Sequence, residues 1–154
     1  MSLEKPDVLA TPGHLVSVAA RAFARLSEAR LKPLGFGVGH LPVLVALETG
    51  RARTQRDLAR LVRTEQPSMA QMLARMERDG QIRRSADPSD GRSNVIHVSD
   101  AAKASLPTAC EALFQGNREA LAGFSEAETA EFLALLRRLI DNLERLTSDG
   151  AAGT

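Results

Sequence analysis

The chain has 154 residues, 44% hydrophobic and 25% charged, with a formal net charge of +1 and a single cysteine. That length fills one domain or one compact subunit and is enough to bury a core, and the composition is that of an ordinary globule. No apolar run approaches the roughly 20 residues a membrane helix needs. The segment Met1-Ser2-Leu3-Glu4-Lys5-Pro6-Asp7 lacks a signal-peptide core, so the expected location is cytoplasmic.

Charge is unevenly spread. Between Arg51 and Arg84, nine arginines stand against Asp57, Glu65, Glu77 and Asp79, a net of +5, whereas Glu111 to Asp149 sets four arginines against eight acids, a net of −4. A basic centre beside an acidic end fits a DNA-facing module joined to a module that faces elsewhere.

In chain order, Thr11 as N-cap and Pro12 at the first position open a helix whose Leu15, Val18, Ala19, Ala22 and Leu26 form an apolar stripe. Leu34-Gly35-Phe36-Gly37-Val38-Gly39 alternates glycines but follows no strand, so it reads as a flexible connection and not as a dinucleotide-binding loop. Residues 40 to 48 are apolar almost all round, as a buried helix is, and stop at Gly50. Thr54-Gln55-Arg56-Asp57 has capping-box logic, with Asp where Glu or Gln is usual, and opens a short helix through Leu58, Ala59, Leu61 and Val62.

After a turn around Arg63 and Thr64 a second helix follows, with Thr64 as its expected N-cap, Glu65 in its first turn and Gly80 at its end. Pro67 is tolerated there because early helical N–H groups lack intrahelical acceptors. Met69, Leu73 and Met76 share one face and read as core. Gln66, Ser68, Gln71, Met72 and Arg75 fall elsewhere. Amides, a hydroxyl and an arginine are the groups that read base edges in the major groove, although a merely solvated face has the same polarity.

Ile82-Arg83-Arg84-Ser85, the turn residues Asp87-Pro88-Ser89-Asp90-Gly91 and the β-branched run Val95-Ile96-His97-Val98 then predict a hairpin. At its tip, Asp90 is expected to hold the Arg92 guanidinium and aim it outward, as suits a narrow minor groove. An ordinary surface ion pair is the alternative. Arg63 and Arg84 are placed for phosphate contacts. Two helices joined by a turn, the second running into a hairpin, follow the order of a winged helix-turn-helix.

Another stripe runs through Leu106, Ala109, Cys110, Leu113, Phe114, Asn117 and Leu121, with Pro107 expected to kink its helix. Ser125 and Glu128 form a capping box for the last helix, which carries Phe132, Leu135, Leu136, Leu139, Ile140, Leu143 and Leu146. This is more apolar stripe than one small winged helix covers. The first helix and the last two are therefore expected to pack against their copies in a homodimer, a closed monomeric bundle being the alternative. At 1.5 Å per residue the last helix projects about 30 Å. Two-fold symmetry would place two recognition helices about 34 Å apart, so that the target is a pseudo-palindrome in double-stranded DNA.

Leu58 to Met76 with Glu77-Arg78-Asp79-Gly80, then Asp87-Pro88-Ser89-Asp90-Gly91-Arg92-Ser93, and finally Gly123-Phe124-Ser125-Glu126-Ala127-Glu128 before an apolar helix carry a resemblance to the MarR family of bacterial transcription regulators. It covers about residues 11 to 146 in the expected order. Val98-Ser99-Asp100-Ala101-Ala102 departs from the pattern, lacking the Thr and Gly usual after the second wing strand. The resemblance implies a mainly α fold with a small β-hairpin wing. One domain would span residues 1–154, with a helical dimerisation region at 11–32 and 100–147 and a winged helix-turn-helix at 38–98.

It further implies a repressor released by a small aromatic or phenolic effector, with Phe36, His40 and Phe114 lining the pocket and Arg21 anchoring an anion, or else serving as packing and surface. Some members sense oxidants through an N-terminal cysteine. Cys110, on an apolar helix face, reads first as a small buried hydrophobe, with redox sensing as the alternative. No metal-ligand spacing joins His14, His40 and His97, and no nucleophile is paired with a base, so neither an enzyme nor a cofactor is expected. An architectural or protein-binding winged-helix module is the remaining alternative.

Overall fold

The computed structural model describes residues 7–151, so the signal-peptide reading of Met1 to Pro6 lies outside the described residues. The elements are α1 (Pro12–Leu31), α2 (His40–Glu48), α3 (Gln55–Leu61), α4 (Gln66–Arg78), β1 (Ile82–Ala86), β2 (Asn94–Val98), α5 (Asp100–Ala120) and α6 (Glu126–Ala151), with short 3-10 turns at Val8–Ala10 and Lys32–Leu34. The architecture is mainly helical with one antiparallel hairpin, as expected from the sequence. Two compact units compose the chain, divided within α5 after Gly116.

The first unit holds the core. Both Thr11 and the Thr54–Asp57 box cap their helices as the sequence indicates. α2 is buried on nearly every side, through Leu41, Val43, Leu44 and Ala46, and against it pack Leu58 of α3, the Met69–Leu73–Met76 stripe of α4, and Ile82, Ile96 and Val98 of the hairpin. In register, Ile82 pairs with Val98 and Arg84 with Ile96. A backbone bond from Ile96 N to Arg53 O, 2.8 Å, ties the returning strand to the segment just before α3. The wing is therefore anchored to the core by the inward apolar residues of its strands and one extra main-chain bond.

Between α1 and α2 the glycine-rich segment is more specific than a flexible connection. His40 is buried, and its Nδ1 lies 3.1 Å from Gln81 Oε1. Gln81 Nε2 donates to Gly35 O at 2.8 Å, which orients the amide with its oxygen toward the imidazole. A Cβ on Gly37 would come within 2.7 Å of the imidazole, so a side chain there would displace the ring. Burial holds the His40 pKa below its ordinary value of 6.5.

α4 ends at Gly80, whose φ of 73° is the left-handed conformation glycine adopts without strain. α5 begins directly after the wing despite the missing Thr and Gly, because Ser99 Oγ accepts from Ala102 N at 3.2 Å and supplies the cap itself. The helix runs through Pro107.

In the second unit, Gly123 makes the turn into α6. The expected capping box is present: Ser125 N donates to Glu128 Oε2 at 2.8 Å and Glu128 N to Ser125 Oγ at 3.1 Å. Phe124 and Phe132 meet edge to face with centroids 5.9 Å apart. Beside them lies a cleft of about 360 Å³, lined by Phe124, Phe132, Leu135, Glu128 and Glu131. No helix among the described residues is long and apolar enough to cross a membrane.

Candidate nucleic-acid interface

α3 and α4 form the two arms of the helix-turn-helix. Asp57 Oδ2 accepts from Arg53 N and Thr54 N, each at 3.0 Å, while Asp57 N donates to Thr54 Oγ1 at 3.2 Å. These bonds, the one from Arg53 first among them, hold the Asp57 carboxyl below the usual carboxylate range. The turn between the arms passes through Arg63 at φ 54°, a left-handed conformation that a non-glycine residue rarely adopts. Thr64 N then bonds back to Ala59 O at 2.9 Å, fixing the angle at which α4 leaves.

Thr64 does not cap α4. The N-cap is Glu65, with no side-chain bond to the helix, because the left-handed Arg63 turn and the backward Thr64 bond delay the first helical residue to Gln66. Pro67 is tolerated in the first turn as expected. With Met69, Leu73 and Met76 pointing into the core, Gln66, Ser68, Gln71 and Arg75 stand exposed on the helix surface. Met72 is half-buried and packs against the core.

The wing turn is built differently from the sequence expectation. Asp90 does not hold the Arg92 guanidinium: its Oδ1 accepts from the Arg92 backbone N at 3.0 Å and its Oδ2 from Ser93 Oγ at 3.2 Å. The physical reason is reach, since a two-residue Asx turn brings the near main-chain N–H to the carboxylate while the guanidinium sits at the end of a longer stem. Asp87 makes a matching turn, accepting from Ser89 N at 2.9 Å and Ser89 Oγ at 2.7 Å, and these bonds lower its pKa. Asp90 thus shapes the tip, and Arg92 is left exposed with no ion pair among the described residues.

Arg84, on β1, donates through Nε to Glu77 Oε2 at 3.0 Å, linking the wing to the end of α4. It also lines a cleft of about 320 Å³ together with Thr54, Gln55, Arg56, Gln66, Arg92, Ser93, Asn94 and Ile96. The predicted residues Gln66, Arg84 and Arg92 are thus brought together on one surface. Gln55, Arg56 and Asn94 join them unpredicted. In sequence, Thr54-Gln55-Arg56-Asp57 reads only as a cap, although its two middle residues are free of the capping bonds and available to a surface. Of the four residues named for an effector, Phe36 and His40 are buried, Arg21 and Phe114 are exposed, and none lines either of the two clefts described.

The chain as a whole has counterparts among known proteins. Residues 39–94 match the profile of the MarR family. A probable transcriptional regulator from Pseudomonas aeruginosa is 30% identical, with a TM-score of 0.78 over 86% of this chain and 99% of that one. The chain belongs to the MarR family. The PcaV transcriptional regulator of Streptomyces coelicolor, solved with its natural ligand, is 25% identical with a TM-score of 0.82 over 92% of this chain and 98% of that one. A cysteine-to-serine mutant of E. coli MarR, solved with operator DNA, is 20% identical with a TM-score of 0.77 over 86% of this chain and 98% of that one, a likeness of fold. As a MarR-family protein the chain is a winged-helix transcriptional regulator that binds DNA, and it is not an enzyme.

Proposed function

We propose that this MarR-family protein is a sequence-specific regulator, a repressor that binds a pseudo-palindromic operator as a homodimer and leaves it when a small aromatic or phenolic effector binds. The observation that carries the reading is the division of α4: the Met69–Leu73–Met76 stripe is wholly buried, Ser68, Gln71 and Arg75 face away from it into solvent, and Gln66 stands exposed at the helix start, in the cleft it shares with the unpaired wing arginine. In this reading those four side chains meet base edges in the major groove. Arg92 enters the minor groove on a turn shaped by Asp90. Arg63, Arg84 and Arg56 contact phosphates.

Two-fold pairing is supported by the uncovered apolar residues Leu15, Val18 and Phe23 of α1 and Leu135, Leu143 and Leu146 of α6, more than a monomer leaves in water. Effector control is supported by the ligand held by the Streptomyces regulator. Arg21, Phe36, His40 and Phe114 are the residues we assign to that control, and the compartment is the cytoplasm. Oxidant sensing is disfavoured, because burial pushes the Cys110 thiol pKa up and so suppresses the reactive thiolate.

The test is selection of bound duplexes from a random pool in excess non-specific competitor. A pseudo-palindrome with half-sites about 34 Å apart is expected. Recovery of background sequence from well-folded protein would overturn the reading and favour an architectural or protein-binding module. With the operator in hand, Arg92→Ala is expected to weaken binding and to lower the log–log salt slope by about 0.9 for each phosphate charge no longer neutralised. Phenolic compounds are then screened by operator release.

A further inference from the structure

The first residue of α3 and the first residue of α4 touch: Gln55 Nε2 donates to Gln66 Oε1 at 3.1 Å, across the left-handed turn at Arg63. Gln55 does not lie on the recognition helix. Its backbone is held by the Thr54–Asp57 capping box on one side and by the core residue Leu58 on the other, so it is a firm post for a side chain that would otherwise rotate in solvent. Both glutamines line the cleft shared with Arg92 and Asn94. Among the described residues, neither the Gln66 amide nitrogen nor Gln55 Oε1 makes another hydrogen bond.

An amide has one accepting and one donating end, and a glutamine reads adenine by using both at once, donating to N7 while accepting from the N6 amino group. In Gln66 the accepting end already faces Gln55. What Gln66 turns outward is its Nε2 donor pair, which is best matched by the adjacent acceptors N7 and O6 of guanine and also meets O4 of thymine, whereas adenine offers one acceptor, N7, beside a repelling amino group, and cytosine offers only an amino group. We infer that Gln55 is a specificity-determining residue that acts through Gln66, fixing which way its amide faces and so which bases it accepts. The inference rests on the operator-binding reading above and names one of its determinants; Gln55 itself is a positioning residue.

The sign of the effect is testable by changing only the post. A leucine at position 55 cannot donate, so Gln66 Oε1 is released and adenine recognition becomes available. A glutamate at position 55 can only accept, so it draws the Gln66 nitrogen inward and turns Oε1 outward, toward bases that donate. The experiment is competitive selection of duplexes by the intact protein and by Gln55→Leu, Gln55→Glu, Gln66→Ala and the double variant Gln55→Glu with Gln66→Ala. The readout is the ratio of bases recovered at each position, in which any uniform weakening from the added charge cancels.

The wild type is expected to favour guanine or thymine at one position per half-site. Gln55→Leu relaxes that position, and Gln55→Glu shifts it toward adenine or cytosine, by about five- to hundredfold in relative recovery if one good base contact is exchanged. With Gln66→Ala the position loses its preference, and adding Gln55→Glu then changes nothing there. A merely structural Gln55 would alter melting or total affinity but leave the base ratios alone. Unchanged ratios in both Gln55 variants, with a clear wild-type motif, overturn the inference and leave the operator reading standing. Absence of any wild-type motif overturns both.

Discussion

α4 and α6 are both amphipathic helices, and their apolar stripes end in opposite surroundings. Met69, Leu73 and Met76 of α4 are each 0% exposed, whereas Leu135, Leu143 and Leu146 of α6 stand 46%, 50% and 71% exposed. Helical periodicity says which residues require cover but not which surface supplies it. For α4 the cover is the chain's own α2, α3 and wing. For α6 it is the second copy proposed above.

The largest test of that contrast is Leu73→Ala. Removing a fully buried leucine side chain is expected to cost about 2–5 kcal/mol. Urea unfolding measures it, and the loss should be the same at every protein concentration. A cost below about 1 kcal/mol would mean that the α4 stripe is not part of a close-packed core. Pairing Leu135→Asp with Leu143→Asp should instead leave the wing and helix-turn-helix folded but convert dimer to monomer in sedimentation equilibrium. It should also abolish the rise of wild-type Tm with protein concentration that mass action requires. An unchanged mass would break the second-copy reading of α6.

Smaller effects sharpen the same contrast within the first unit. Thr54→Ala removes one arm of the capping box and is expected to cost about 1 kcal/mol, with Thr54→Ser retaining most of the cap. Thermal unfolding reads this directly, and no change in Tm would mean that the α3 cap is dispensable.

His40 supplies the smallest effect. Its pKa is held down by burial, so on acidification the unfolded chain takes up the proton before the folded one. The stability due to neutral His40 is therefore full above its ordinary 6.5 and declines as the pH falls below that value toward the folded pKa. Tm measured from about pH 7.5 down to pH 5 should fall more for the wild type than for His40→Asn. Parallel curves would place the pH dependence elsewhere.

Much of the fold is legible in the residues. Caps at Thr11, Thr54 and Ser125, the apolar periodicities and the turn run from Asp87 to Gly91 act over a few residues, and each stands where its residues place it. What residue type conceals is competition between near neighbours. Thr64 has the chemistry of a cap, but its backbone is committed to Ala59; Asp90 has the charge to hold a guanidinium, but a main-chain donor and a hydroxyl are closer. Both outcomes depend on which donor the local backbone brings within about 3 Å.

The sequence by itself determined the order of helix, turn, helix and wing, and which face of each helix seeks cover, since short-range hydrogen bonding and the 3.6-residue period need no information from elsewhere in the chain. Only the tertiary structure decided that His40 meets Gln81 and that Gln55 meets Gln66. It alone gathered Arg56, Arg84 and Arg92 around one cleft. These groups are many residues apart, and their meeting is set by how the core packs the elements that carry them, a long-range outcome with no local signature in the residues themselves.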